Sequence, residues 1–291
     1  VSFEAFLIQT GVNGLILGAL YLLMAVGFTL VFGSLRVVNF AHGEFYMLGG
    51  FAAYFTTVTM GLPAIASIPL AFLFVAVLGL FCERAVFRPF RGDELNGMIA
   101  SIGLALILQN GALMLFGPMP LAMPPFAEGL TRFGSIVIPT SRLLAIVISA
   151  AVLAIFYVVM MHTRVGRAVR AMVQDAEVAS TFGIHPGLVY PLGFALGVGL
   201  AAVAGAVMAP LFSVSPFTGH TPLLKAFLVV VLGGLGSIPG AAIASLAVGL
   251  IESYTATFYG SLAADGLILL LAVIMLVMRP NGLLGRAMRV G

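Results

Sequence analysis

Charge is what this sequence has least of. Only 8% of its 291 residues are Asp, Glu, Lys or Arg, against roughly 25% in a soluble domain. So few charges cannot clothe the surface of a water-soluble fold, and a mean hydropathy of +1.19 widens the gap. Lipid must cover much of the chain. The net charge of +3 is too small to point to nucleic acid. A lone cysteine, Cys82, excludes an intrachain disulfide and a cysteine-based metal cluster. His42, His162, His185 and His220 are scattered without metal-ligand spacing. Lys225, the only lysine, follows Pro222, Leu223 and Leu224 rather than a phosphate-binding glycine loop, so ATP cannot be held that way. No Ser–His–Asp set or carboxylate pair has a catalytic context. The expectation is a transporter, channel or receptor with no catalytic residue, metal or cofactor of its own. The start, VSFEAF, carries Glu4 and no basic stretch, and is not read as a cleaved signal peptide.

What is present is a series of long apolar runs. A helix needs about 20 apolar residues to cross the hydrocarbon core. Charges mark the ends of runs near 14–32, 45–60, 64–82, 96–116, 143–161, 192–211, 223–235, 241–253 and 262–278. The expected fold is an all-α integral membrane protein, a single domain over residues 1–291, with about eight or nine crossings. The run 223–235 is short and reads as broken or re-entrant. A membrane barrel is excluded because the runs lack the alternation it needs. Three arginine groups set the orientation: Arg84, Arg88 and Arg91; Arg164, Arg167 and Arg170; and Arg279, Arg286 and Arg289. All are expected in the cytoplasm. The proline-rich loop 117–142 and, with nine crossings, the N-terminus then lie outside.

One polar stretch, 163–187, carries a helical pattern. Val165, Val169, Met172, Val173, Ala176, Ala179 and Phe182 form one face, and Arg167, Arg170, Gln174, Glu177 and Ser180 the other. Gly183 and Pro186 end it. The helix begins basic and ends acidic, against its own macrodipole. Two explanations fit: an interfacial helix whose arginines face lipid phosphates, or a helix docked on a partner protein.

Two glycine-punctuated breaks interrupt the apolar runs. Gly233, Gly234, Gly236 and Pro239 cannot hold a regular helix, so 233–240 is either a tight turn or part of a transport path. After the first run comes 33–44, with Asn39, His42 and Glu44, followed by the pair Gly49-Gly50. Two such breaks suggest an inverted pseudo-repeat around a binding or transport region. Glu44 is either a pathway or gate carboxylate or one at the cytoplasmic interface, paired with Arg36 or solvated. Asp265 poses the same question inside the last run, and Glu252 and Lys225 are placed to pair with other helices.

At several places the residues resemble the LivH-type permease of branched-chain amino-acid ABC importers. The matches run in order: 14–54 with its NFAHGE core at 39–44, ERAVFRP at 83–89, SIGLALILQN at 101–110, R-x-G-R-A-x-R-A at 164–171 leading to A-S-x-x-G-I at 184, KAFLVVVLGGLGSIPG at 225–240, and MRPNGLLGR at 278–286. The loop 118–132 matches poorly. The resemblance implies a multi-pass protein of a bacterial inner membrane, translocating leucine, isoleucine or valine. Its implied partners are a second, related permease, two cytoplasmic ATP-binding subunits and a periplasmic binding protein, with membrane lipid around them. It implies that 163–187 is the coupling segment to the ATPase, through Arg164, Gly166, Arg167, Arg170, Ala171, Asp175 and Gly183. Urea and short-chain amide permeases share an NFAHGE-like segment and stand as an alternative cargo class. A stand-alone channel or ion-coupled carrier is the alternative from another class.

Overall fold

The computed structural model describes residues 3–133, 136–279 and 281–285, with Ile136 described by its backbone alone. Pro280, Arg286 and Arg289 lie outside the described residues. Eleven α-helices make up the described chain: α1 (Phe3–Leu35), α2 (His42–Tyr54), α3 (Ser67–Cys82), α4 (Glu94–Phe116), α5 (Thr140–His162), α6 (Arg164–Gln174), α7 (Ala176–Thr181), α8 (Pro186–Met208), α9 (His220–Gly233), α10 (Ile238–Tyr259) and α11 (Ser261–Met278). Seven are long and apolar enough to cross a membrane, counting α3 together with the short turns that flank it. The two remaining expected runs appear as the short helices α2 and α9.

α1 and α8 are apolar on every side, and a helix of that kind belongs in the middle of a bundle. They are 72% and 83% buried over their most apolar stretches, whereas α4 and α11 are each 17% buried and form the rim. α1 is 33 residues long, about 50 Å at helical rise. Phe28, Phe45, Phe194, Leu23 and Met24 are fully buried between these helices. The rings of Phe45 and Phe194 meet edge-on at 5.8 Å, a favoured aromatic geometry.

The bundle repeats itself upside down. α1 runs antiparallel to α10, with Gly11, Gly14 and Gly18 against Tyr254, Leu250 and Leu246 in turn. α8 runs antiparallel to α3 in the same way, with Gly79 against Val198 and Gly199 against Phe72. After α1 the chain turns through 36–41 into short α2; after α8 it turns through 209–219 into short α9. The two halves meet at reciprocal glycines. A β-carbon on Gly27 would strike the carbonyl of Gly197, and the reverse also holds; Gly43 and Gly219 form a second such pair. Only glycine lets backbones approach so closely.

This corrects one detail of the expected repeat. The partner of the break after α1 is the connection 209–219, not the turn 233–240. Gly49 and Gly50 do not correspond to Gly233 and Gly234: they sit within α2, against Ala202 and Val214. Glycine doublets mark close packing as readily as symmetry, and that misdirects a match by residue type.

Most of the described arginines gather at one end of the bundle, while Arg132 and Arg142 lie at the other, where Arg142 reaches Asn13. Arg91 pairs with buried Glu83 and lies 4.6 Å over the Tyr190 ring at the base of α8. The same end carries α6 and α7. At the opposite end, the loop between α4 and α5 departs from the all-helical expectation. Leu130–Phe133 (β1) and Ile136–Pro139 (β2) pair antiparallel, Thr131 opposite Ile138. Their β-branched residues suit a pleated ribbon. Leu121 of this loop exchanges two backbone hydrogen bonds of 2.8 Å with Val214, in the lead-in to α9.

Candidate functional site

The expected single helix over 164–183 is two helices. α6 ends at Gln174, and Asp175 adopts extended backbone (φ −157°, ψ 106°). Asp175 Oδ1 then accepts a hydrogen bond from Val178 N at 2.9 Å and caps α7. An aspartate does this because its carboxylate satisfies an amide that a helix start leaves unpaired. The charge order changes meaning with the break. Asp175 and Glu177 stand at the beginning of a helix, where its dipole favours them. Only Arg164 and Arg167, in the first turn of α6, remain against the dipole.

The predicted apolar face holds in part. Val169, Met172 and Ala179 are buried, while Val165 and Phe182 point outward, Phe182 at 81% exposure. The break rotates the register, so one wheel cannot serve both helices. Val178 and Phe182 form an exposed apolar tip.

Each coupling candidate has a definite place. Thr163 caps α6 by accepting from Gly166 N at 3.1 Å. Gly166 is buried where a β-carbon would fall on the carbonyls of Val159 and Met160, so it sets how closely α6 folds back on α5. Arg164 is exposed. Arg167 Nη1 donates to the His162 carbonyl at 3.2 Å. Ala171 O accepts from Asp175 N at 3.0 Å, closing α6. Arg170 is half-buried, and its Nη1 is buried without a partner among the described residues. Gly183 has φ +80° and ends α7 as Ile184 N reaches back to Ala179 O at 3.2 Å, a turn that favours glycine.

The second group of candidates sits deep in the bundle. Asn39 Oδ1 accepts from Ala41 N at 3.0 Å and shapes the entry to α2. His42 is fully buried, with Nε2 3.3 Å from the carbonyl of Met24 at mid-length of α1. Glu44 is 3% exposed, and among the described residues no ion pair joins it to Arg36, which is exposed. The Arg36 pairing expected of an interfacial Glu44 is therefore not made, and the carboxylate begins a short helix inside the protein. Asn39 Nδ2, His42 Nδ1 and Glu44 Oε2 are all buried without a partner among the described residues.

Gly233, Gly234, Gly236 and Pro239 make the tight turn from α9 to α10. Gly234 and Gly236 have φ +102° and +82°. Ser237 caps α10 through Gly240 N at 3.1 Å, and Pro239 stands in its first turn, where a missing amide is tolerated. The turn lies at the arginine-rich end, beside α6.

Lys225, Glu252 and Asp265 come together. Lys225 Nζ is 3.0 Å from Glu252 Oε2 and 2.6 Å from Asp265 Oδ1. Tyr21 donates its hydroxyl to the same Glu252 oxygen at 3.0 Å. The network ties α9 to α10, α11 and α1. Tyr21 also lines a cavity of about 330 Å³ with Tyr46, Gly50, Phe217, Thr218 and Thr221, between α2, the end of α8 and the start of α9. A second cavity, of about 530 Å³, lies between α6, α1 and the α9–α10 turn.

Sequence reasoning passed over three residues that matter here. Thr163, a small polar residue before a periodic run, carries the signal of a helix cap, the same signal that Asp175, already a coupling candidate, carries for α7. Tyr21 carried none, being one aromatic in an apolar run. Gln109 reaches across to α9, its Nε2 2.6 Å from His220 Nε2, and a lone amide in a rim helix gives no hint of its partner.

A family model described as "branched-chain amino acid transport system / permease component" matches residues 11–278. The high-affinity branched-chain amino acid permease protein BraD of Pseudomonas aeruginosa is 33% identical over 294 residues, 96% of this chain and 96% of that protein. LivH of Escherichia coli, named likewise, is 32% identical over 297 residues, 97% of this chain and 96% of its own. A probable LivH of Methanocaldococcus jannaschii is 24% identical over 288 residues, 94% of this chain and 91% of its own. No solved structure matches.

Proposed function

This chain belongs to the family of branched-chain amino acid transport permeases, and on that premise we propose that it forms one half of the membrane channel of an ABC importer for leucine, isoleucine and valine. A related permease forms the other half. Two ATP-binding subunits and an external binding protein complete the machine, in the inner membrane of a bacterium. Named relatives that are permeases over nearly their whole length support the cargo over urea or an amide.

The observation that carries the coupling role is the two-helix element from Arg164 to Gly183. It projects between α5 and α8 at the arginine-rich end, capped at both starts by Thr163 and Asp175, with Val178 and Phe182 uncovered at its tip. The positive-inside bias puts that end in the cytoplasm, where an ATPase is met. The permease itself passes cargo and holds no nucleotide. Asn39, His42 and Glu44, with the turn at Gly233, Gly234, Gly236 and Pro239, are the pathway and gate candidates. Polar groups inside a membrane bundle face a partner or a wet path.

The test is transport in proteoliposomes. Asp175→Arg and Gly183→Pro are expected to abolish ATP-driven leucine uptake while the permease still reaches the membrane. Normal uptake with an intact ATPase complex in both variants would defeat the coupling role. Labelled urea, run alongside leucine, is expected to stay outside.

A further inference from the structure

The cavity of about 530 Å³ beside the coupling element is within the roughly 300–1,000 Å³ of small-molecule sites. Two buried polar atoms on its wall, Arg170 Nη1 and Thr29 Oγ1, have no hydrogen-bond partner among the described residues. Thr29 is 5% exposed, so it has little water to turn to. A buried donor without an acceptor is unfavourable, and its persistence needs a reason. The start of α10 also opens here, at Ser237 and Ile238, and a helix start favours negative charge. Among the described residues, no Asp or Glu lines the cavity to neutralise the guanidinium. Gln174 adds an amide to the wall, and the rest is largely apolar, with Leu30, Met160, Val169, Val173, Leu235 and Ile238.

We propose that this cavity binds a small carboxylate with an apolar tail, the amino acid released on the arginine-rich side, held by Arg170, Thr29 and the start of α10. The guanidinium takes the carboxylate, the dipole of α10 adds to the local field although Ser237 already caps its Gly240 amide, and the apolar walls take the tail. An inorganic anion would leave those walls unfilled. Occupancy wedges α6 away from the α9–α10 turn, so accumulated product acts on the element that meets the ATPase. That the carboxylate is the cargo rests on the importer reading above; the preference for a carboxylate rests on the cavity.

The test uses the whole permease–ATPase complex in nanodiscs, without ATP or binding protein, and labelled leucine at equilibrium. Leucine is expected to bind saturably. 4-Methylpentanoate, which keeps the carboxylate and tail, displaces it; leucinamide, which lacks the carboxylate, does not. Decanoate serves as the lipid-like arm and competes less well than 4-methylpentanoate. Arg170→Gln weakens binding at least tenfold and the near-isosteric Thr29→Val severalfold, both scored on complexes that still elute as one species. A photoactivatable leucine crosslinks to Val169, Val173 or Leu235 in the unaltered protein. Absence of saturable binding, equal displacement by leucinamide, tightest binding of decanoate, crosslinks confined to other helices, or unchanged affinity in both variants each overturns the proposal. Because binding is read without turnover, its failure leaves leucine uptake intact. Failure of the coupling role shows instead as uptake that survives Asp175→Arg.

Discussion

Gly27 of α1 and Gly197 of α8 meet backbone to backbone, each leaving room only for the other's carbonyl. The contact sits where the two inverted halves cross. Gly27→Ala is therefore expected to destabilise the permease by about 1–3 kcal/mol, the usual range for overpacking. Gly103→Ala, on the rim with nothing within 4 Å of the added carbon, should leave stability unchanged or slightly raised. Thermal unfolding in detergent compares them. Equal midpoints for the two variants would mean that the crossing tolerates a wider gap.

Asp175 acts as a cap before it acts as a charge. Asp175→Asn preserves an oxygen for Val178 N and is expected to keep most of the leucine uptake, since Asn caps as well as Asp. Asp175→Ala removes the cap at about 1 kcal/mol and should lower uptake severalfold. Coupled uptake and ATPase rates decide it. If Asn is as damaging as Ala, the carboxylate itself is what the partner requires.

Lys225 is the keystone of its network. Lys225→Met leaves Glu252 with an uncompensated charge in the membrane interior, and breaking a buried pair from one side costs about 3–5 kcal/mol. Asp265→Asn removes a carboxylate whose side chain is 57% exposed, so its effect should be clearly smaller. Expression level and unfolding midpoint are the readouts. The order of the two variants, rather than either value, carries the claim.

Asp93 offers a pH handle outside the spans. Hydrogen bonds from the Asn96 backbone amide and then its side chain hold the Asp93 carboxyl below the usual carboxylate range. A depressed folded pKa adds stability above the unfolded value, and that stability is lost as pH falls through the folded one. The first turn of α4 should thus lose amide protection below the ordinary carboxylate range. Hydrogen exchange at Asn96 follows it, and Asp93→Asn should show no such step.

Much of this molecule was written in its apolar runs. All nine appear as helices because lipid leaves backbone amides no other partner. Length set α9 apart from the long helices, whereas the run that forms short α2 reads as a full crossing, and arginine grouped the right loops at one end. What could not be read was pairing at a distance. Lys225, Glu252 and Asp265 were visible as odd residues, but only the fold could join them to each other and to Tyr21. The break at Asp175 was a local matter, readable from its cap residue, yet a continuous apolar wheel outweighed it. The symmetry was legible as an idea and misplaced in its particulars. Its true markers, Gly43 and Gly219, lie 176 positions apart without any shared motif around them.

The exchange of hydrogen bonds between Leu121 and Val214 stitches the proline-rich loop to the strand of chain that feeds α9. Any displacement of that loop would therefore be passed to the root of a half-length helix through two amide contacts.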